Sequence, residues 1–193
     1  MVRHNIKNFI GVLVFLSLVT FLIIYCVQGH NAIPMNIKLL FGDISKTVFV
    51  LTLISSLFIS FGWKWRIFKG WLVVIPDLSG KWIGIMYSNY KNPPLEIPME
   101  IEIFQTFFHT MVKLKTGESQ SVSLVASFDI DKDKGIKRLI YSYHNIPKAT
   151  VQDRSAIHYG TTILDISEDE AVLNGCYWTN RASKGDMNLK KVR

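Results

Sequence analysis

The sequence predicts a two-part protein: an N-terminal two-helix transmembrane hairpin, then an all-β domain built as an eight-stranded antiparallel meander barrel. Three observations carry that prediction. Two apolar stretches fill roughly the first third of the 193 residues. Short runs rich in β-branched and aromatic residues, separated by turn signals, fill the rest. Basic residues crowd the outer flanks of the apolar stretches and thin out between them.

The first apolar stretch, 9–27, has no charged side chain, and its only hydroxylated aliphatic side chains are Ser17 and Thr20. A bilayer's hydrocarbon core takes about 20 residues of helix, so this stretch can span it. It is longer than the apolar region of a secretory signal and lacks an A-x-A-like cleavage site. It has no polar face, as a soluble core helix would. The second span is placed at about 44–63; within it, 47–63 is free of charge, with Lys46 and Lys64 at its edges to snorkel outward. Ser55, Ser56 and Ser60 either mark a helix–helix face or satisfy their own backbone carbonyls.

Arg3 and Lys7 precede the first span; Lys64, Arg66 and Lys69 follow the second; the segment 28–43 between them holds only Lys38, with Asp43 at its end. Positive residues stay cytoplasmic, so both chain ends are expected in the cytosol, with the protein multi-pass in the cell membrane. Trp63, Trp65 and Trp71, interleaved with those basic residues, suit an interfacial aromatic belt. The net charge of +7 divides unevenly, with +6 on 1–75 and +1 on 76–193. It is therefore a topology and headgroup signal. A DNA- or RNA-binding face would need the excess on the soluble domain. The two cysteines, Cys26 and Cys176, make no disulfide framework and fit a reducing cytosol.

Residues 76–193 suffice for one compact domain. Eight strands are expected, near 80–89, 97–106, 109–116, 120–129, 136–145, 156–167, 171–179 and 184–192. Asn92-Pro93-Pro94, Thr116-Gly117-Glu118, the 131–135 acidic-basic run, Ile146-Pro147-Lys148 and the 167–170 acidic run break them. Alternation, as in Met99-Glu100-Ile101-Glu102-Ile103, gives each strand one buried face. Short connections and one buried face suit a meander closed on itself, which leaves no open edge. Gly80-x-Trp82 on the first strand resembles lipocalins, in which the tryptophan plugs one barrel end; the predicted domain is a minimal lipocalin-like barrel.

Taken with the two spans, three segments carry a wider resemblance. They are Pro76-Asp77-Leu78-Ser79-Gly80-Lys81-Trp82-Ile83-Gly84; 105–116 with Ser121 and Ser123; and 179–189, which opens Thr179-Asn180-Arg181-Ala182-Ser183-Lys184. In that order the chain resembles the two-transmembrane β-barrel effector family of cyclic-oligonucleotide-based antiphage signalling (CBASS), the CD-NTase-associated protein fifteen family. The resemblance implies that a cognate CD-NTase makes a cyclic dinucleotide, which the cytosolic barrel binds. It further implies that the transmembrane hairpins then form a homo-oligomer, disrupt inner-membrane lipid, and end infection by killing the cell. No cofactor other than this activating ligand is implied.

A cyclic dinucleotide offers two phosphates and two flat bases, so its receptor needs planar cations and aromatic faces. Arg181, in the last turn and flanked by Thr179, Asn180 and Ser183, is the first candidate for phosphate, with Lys184 beside it. Arg181 has a second reading, as the late basic residue that packs over Trp82 in lipocalin-like barrels. Tyr87, Tyr90, Tyr141, Tyr143, Tyr177 and Trp178 are stacking candidates, with cross-strand packing as the alternative for each. Gln105 could read a base edge. His109, His144 and His158 are isolated and lack metal-ligand spacing, and no nucleophile elbow, P-loop or paired-cysteine cluster occurs. The chain is therefore read as a non-enzyme. Two further readings stay open: a membrane-tethered carrier or sensor of an apolar ligand, and an anchor whose barrel docks a partner protein.

Overall fold

The computed structural model describes residues 6–28, 37–89 and 95–192. Arg3, Tyr90 and the Asn92-Pro93-Pro94 break lie outside the described residues. The chain divides into two compact units, one within 3–74 and one within 75–193.

The first unit is helical. Helix α1 spans Ile6–Val27 and α2 spans Ile37–Ser60. Phe9, at the start of α1, lies 6.2 Å from Phe58, near the end of α2, so the two run as an antiparallel pair. Phe58 in turn meets the edge of Phe68 at 5.1 Å, in the second of two 3₁₀ turns, Gly62–Lys64 and Arg66–Phe68. The expected second span needs correction. Helix α2 starts at Ile37, inside the segment expected to be a connector, so Lys38, Asp43 and Lys46 all occupy its first turns. Asp43 is buried, with Lys46 Nζ 3.8 Å away. The helix ends at Ser60, and Trp63 is buried, while Trp65 and Trp71 are exposed. Among the described residues, one helix, Lys7–Val27, is long and apolar enough to cross a membrane.

The second unit is the expected barrel. Its strands are β1 Gly80–Ser88, β2 Leu95–Gln105, β3 Thr110–Thr116, β4 Ser119–Asp131, β5 Ile136–Pro147, β6 His158–Ile166, β7 Val172–Thr179 and β8 Lys184–Lys191. Each pairs antiparallel with the next, and β8 pairs back onto β1 from Trp82↔Lys191 to Ser88↔Gly185, which closes the sheet. Strand alternation carries straight through to burial: Met99, Ile101, Ile103 and Gln105 of β2 point inward while Glu100 and Phe104 face out. Strand β4 breaks that rule. A bulge between Ser123 and Val125 inserts Leu124, so Ser121 is buried on one side of it and Phe128 on the other.

Up-and-down connectivity sorts the connections by end. The links β2–β3, β4–β5 and β6–β7 lie at one end with the incoming segment 76–79; the end of β1, the start of β2 and the links β3–β4, β5–β6 and β7–β8 lie at the other. The first end is sealed. Trp82 and Leu78 are wholly buried, and the Trp82 indole donates to Leu78 O at 2.9 Å. Gln105 clamps the incoming chain from both sides: its Oε1 accepts Leu78 N at 3.0 Å and its Nε2 donates to Pro76 O at 2.8 Å. Ile101, Ile103, Leu139, Leu164, Leu173 and Leu189 fill the interior beside them.

Candidate ligand-binding site

The other end opens into a cavity of about 710 Å³, within the range of small-molecule sites. Its inner wall is contributed by inward positions of seven strands: Met86 and Ser88, Leu114 and Thr116, Ser121, Tyr143 and Asn145, His158 and Thr162, Tyr177 and Met187. The rim comes from β2 at 95–98, the β3–β4 turn with Glu118, the β5–β6 connection with Val151, Arg154 and Ser155, and Arg181 and Ser183 of the last turn. The interior thus passes from aliphatic at the sealed end to a mixed wall at the mouth, where hydroxyl, amide and aromatic groups join Met86, Leu114 and Met187.

The last turn is built to hold Arg181. Thr179 N bonds Ser183 O at 2.9 Å, the two hydroxyls meet at 2.7 Å, and Thr179 Oγ1 accepts Arg181 N at 3.3 Å. Asn180 hooks the turn onto β6: its N donates to Tyr159 O at 3.0 Å and its Oδ1 accepts Tyr159 N at 3.1 Å. Ala182 takes the left-handed conformation, φ 62°, that closes the loop. The Arg181 guanidinium, half-buried, donates from Nη1 to Ala156 O at 3.1 Å and to Ser155 Oγ at 3.4 Å. Its Nε is buried and has no hydrogen-bond partner among the described residues.

Ala156 O also receives the ring of His158, whose Nδ1 lies 3.0 Å away. A carbonyl can only accept, so His158 carries its proton on Nδ1 and keeps Nε2 as an acceptor. Burial lowers the His158 pKa, with the nearby Arg181 and His144 charges adding to the effect against the Ala156 hydrogen bond. The tyrosines are also shifted. Burial pushes Tyr141 up to about 12 and raises Tyr143 and Tyr177, so all three are neutral phenols at physiological pH. Tyr177 OH donates to Ser88 Oγ at 2.8 Å. Tyr141 OH and Thr162 Oγ1, on paired residues of β5 and β6, are buried with neither in hydrogen-bond geometry to a partner among the described residues. Gly160 makes the room these rings need: a Cβ there would stand 2.4 Å from Tyr143 Cζ and OH.

A family profile described as Cap15, cyclic dinucleotide receptor domain, matches residues 73–191, the whole barrel and the segment leading into it. The chain belongs to the Cap15 family. A "CD-NTase-associated protein 15" of Staphylococcus schleiferi is 34% identical over 150 residues, covering 78% of this chain and 79% of that one. Proteins of the same name match from Escherichia albertii, at 23% over 99% of this chain and 91% of the relative, and from Yersinia aleksiciae, at 30% over 65% and 60%.

Within this Cap15 barrel, the candidates named from sequence separate. Arg181, Ser183 and Tyr143 line the cavity, as does Tyr177. Thr179 and Asn180 do not: their polar atoms are spent on the turn and on Tyr159. Tyr87 faces outward, in an external groove with Ile83, Ile85 and Lys190. Lys184 is exposed on the outer face of β8, opposite in phase to the buried Met187 and Leu189. Trp178 also faces out. Gln105 is inward but at the sealed end, where it binds backbone and has no access to the cavity. The plug reading of Arg181 is replaced as well, because Lys191, not Arg181, covers Trp82. Sequence reasoning missed Ser88, Asn145, His158, Thr162, Glu118 and Arg154 as cavity residues. For His158 and Thr162 a signal existed: they share period-two phase with Leu164 and Ile166.

Proposed function

We propose that this chain is an antiphage CBASS effector whose cytosolic barrel is the receptor for a cyclic dinucleotide made by a cognate CD-NTase. The observation that carries the reading is the half-buried Arg181, its Nε without a partner among the described residues, on the rim of a one-ended cavity walled in part by neutral tyrosines and hydroxyls. Those are the groups a phosphodiester with two flat bases needs: a planar cation for phosphate and rings for stacking. Arg181 supplies the phosphate contact, Ser183 a hydroxyl beside it, and Tyr143 and Tyr177 the ring faces. His158 offers its Nε2 lone pair to a base N–H. An apolar ligand would meet Met86, Leu114 and Met187 in this cavity but would leave Arg181, Ser121 and Asn145 desolvated against it.

The effector half of the reading is that ligand binding drives homo-oligomerisation and that the assembled helices disrupt the inner membrane, giving abortive infection. Helix α1 supports a membrane seat, and the charge-free 47–63 supports a second crossing with both ends cytosolic. The test is calorimetric titration of the full chain in non-ionic detergent with 3′,3′-cyclic GMP-AMP, 3′,3′-cyclic di-GMP and a cyclic trinucleotide. Saturable binding to a cyclic dinucleotide, lost in Arg181→Ala while the barrel still melts cooperatively, is the expected result. A folded wild-type chain that binds none of them overturns the reading.

A further inference from the structure

The cavity's charges do not yet suit a dianion. Four charged side chains line it: Arg181 and Arg154 against Glu96 and Glu118. Arg181 and Arg154 are anchored to one stretch of chain, because Arg181 Nη1 bonds Ser155 and Ala156, the two residues after Arg154. Arg154 is already engaged: its Nη2 is 2.5 Å from Glu118 Oε1, in the β3–β4 turn. Glu118 also fixes the start of the same connection, by accepting Lys148 N on its backbone oxygen at 2.8 Å. The connection 148–157 is therefore strapped across the rim by a guanidinium–carboxylate pair at one point and by Arg181 at another.

We propose that Arg154 is a second phosphate contact and that the Glu118 carboxylate is its internal competitor, so that the site selects ligands carrying two phosphates over those carrying one. The inference rests on the cyclic dinucleotide reading above. A phosphodiester bound at Arg181 places its second anion near the Arg154–Glu118 pair. The exchange is isoelectronic for the arginine: it gives up one oxyanion and takes another, and Glu118, about half exposed, passes to water. An exposed ion pair contributes little to stability, so it can be broken cheaply by a ligand. A monoanion satisfied at Arg181 has nothing with which to displace Glu118 and gains nothing from Arg154.

Two substitutions separate the roles. Arg154→Ala removes the second contact and should weaken cyclic dinucleotide binding by about tenfold or more, the loss of one charge-assisted hydrogen bond. Glu118→Gln leaves the backbone acceptor for Lys148 intact and removes only the competing charge. It should tighten binding by roughly threefold to tenfold, and should do so only when Arg154 is present. The probes are the 3′,3′-cyclic dinucleotides above and, as a one-phosphate comparison, 3′,5′-cyclic GMP, titrated into the full chain and each variant in detergent. Neither substitution should change any affinity for 3′,5′-cyclic GMP. A wild-type chain that binds a cyclic dinucleotide, with both variants matching its affinity, overturns the inference and leaves the receptor reading standing. Glu118→Gln weakening the binding also overturns it, because the pair would then be acting as a structural clasp. Absence of binding by the wild-type chain overturns the receptor reading itself, and this inference with it.

Discussion

The Lys191 ammonium stands 5.5 Å from the centre of the Trp82 ring and donates to Asp77 O at 2.9 Å. One lysine at the end of β8 thus covers the tryptophan that opens β1 and ties down the segment leading into it. Because Trp82 is wholly buried and its indole N–H is satisfied by Leu78, Trp82→Ala should cost about 3–5 kcal/mol. Lys191→Met keeps the stem and loses the charge; it should cost about 1–2 kcal/mol from the cation–ring contact and the hydrogen bond. Chemical denaturation followed by tryptophan fluorescence measures both, and equal effects of the two would refute this division of labour.

Gly160 faces the Tyr143 ring and the Trp178 carbonyl, 2.8 Å from where a Cβ would stand. Gly160→Ala should force the Tyr143 ring into the cavity and reduce ligand affinity by about tenfold or more, on the scale of 1–3 kcal/mol for overpacking. Titration of the variant, with a melting curve as the check on folding, reads the effect. Undiminished binding would mean that the ring has another place to go.

His158 makes stability depend on pH with a definite sign. Its pKa in the folded barrel is below the ordinary 6.5, chiefly through burial, so the unfolded chain binds more protons at mildly acid pH. That contribution is fully present above about 6.5 and is lost as pH falls through the folded value. The melting temperature should therefore drop between about pH 7 and 5, and His158→Gln should flatten the slope in that window. A steeper slope in the variant would assign the effect to another group.

Ala182 holds φ 62° in the turn that presents Arg181. A side chain there costs about 1–2 kcal/mol, partly offset by the entropy a glycine would lose on folding. Ala182→Gly should therefore stabilise the barrel by about 1 kcal/mol or less, and Ala182→Val should destabilise it. Denaturant midpoints for the pair decide the point, and a loss on Ala182→Gly would show that the turn is not strained.

The barrel was legible because alternation is local: each of the eight expected runs overlaps one strand, with ends moved by one or two residues. The second helix was less so, because a charge-free count over 47–63 does not see that the same helix reaches back over Lys38 and Asp43. The site was half legible. Residue chemistry pointed to Arg181 and Tyr143. Tyr87 could have been excluded by phase, since Trp82 as plug puts even-numbered positions of β1 inside. Gln105 could not. Its phase is inward, and only the long-range contact with Pro76 and Leu78 reveals what it binds at that end. Glu118 and Arg154 lie 36 residues apart in loops, where no periodicity applies.

A vessel with a stoppered floor has only one door. Whatever enters past the strap must leave by the same way, so the residues that govern capture also govern escape. An alarm molecule held here would outlast a brief dip in its supply in the cytosol. The dwell time of the signal would then be a property of the rim, tunable at the loops without disturbing the packed base on which the fold depends.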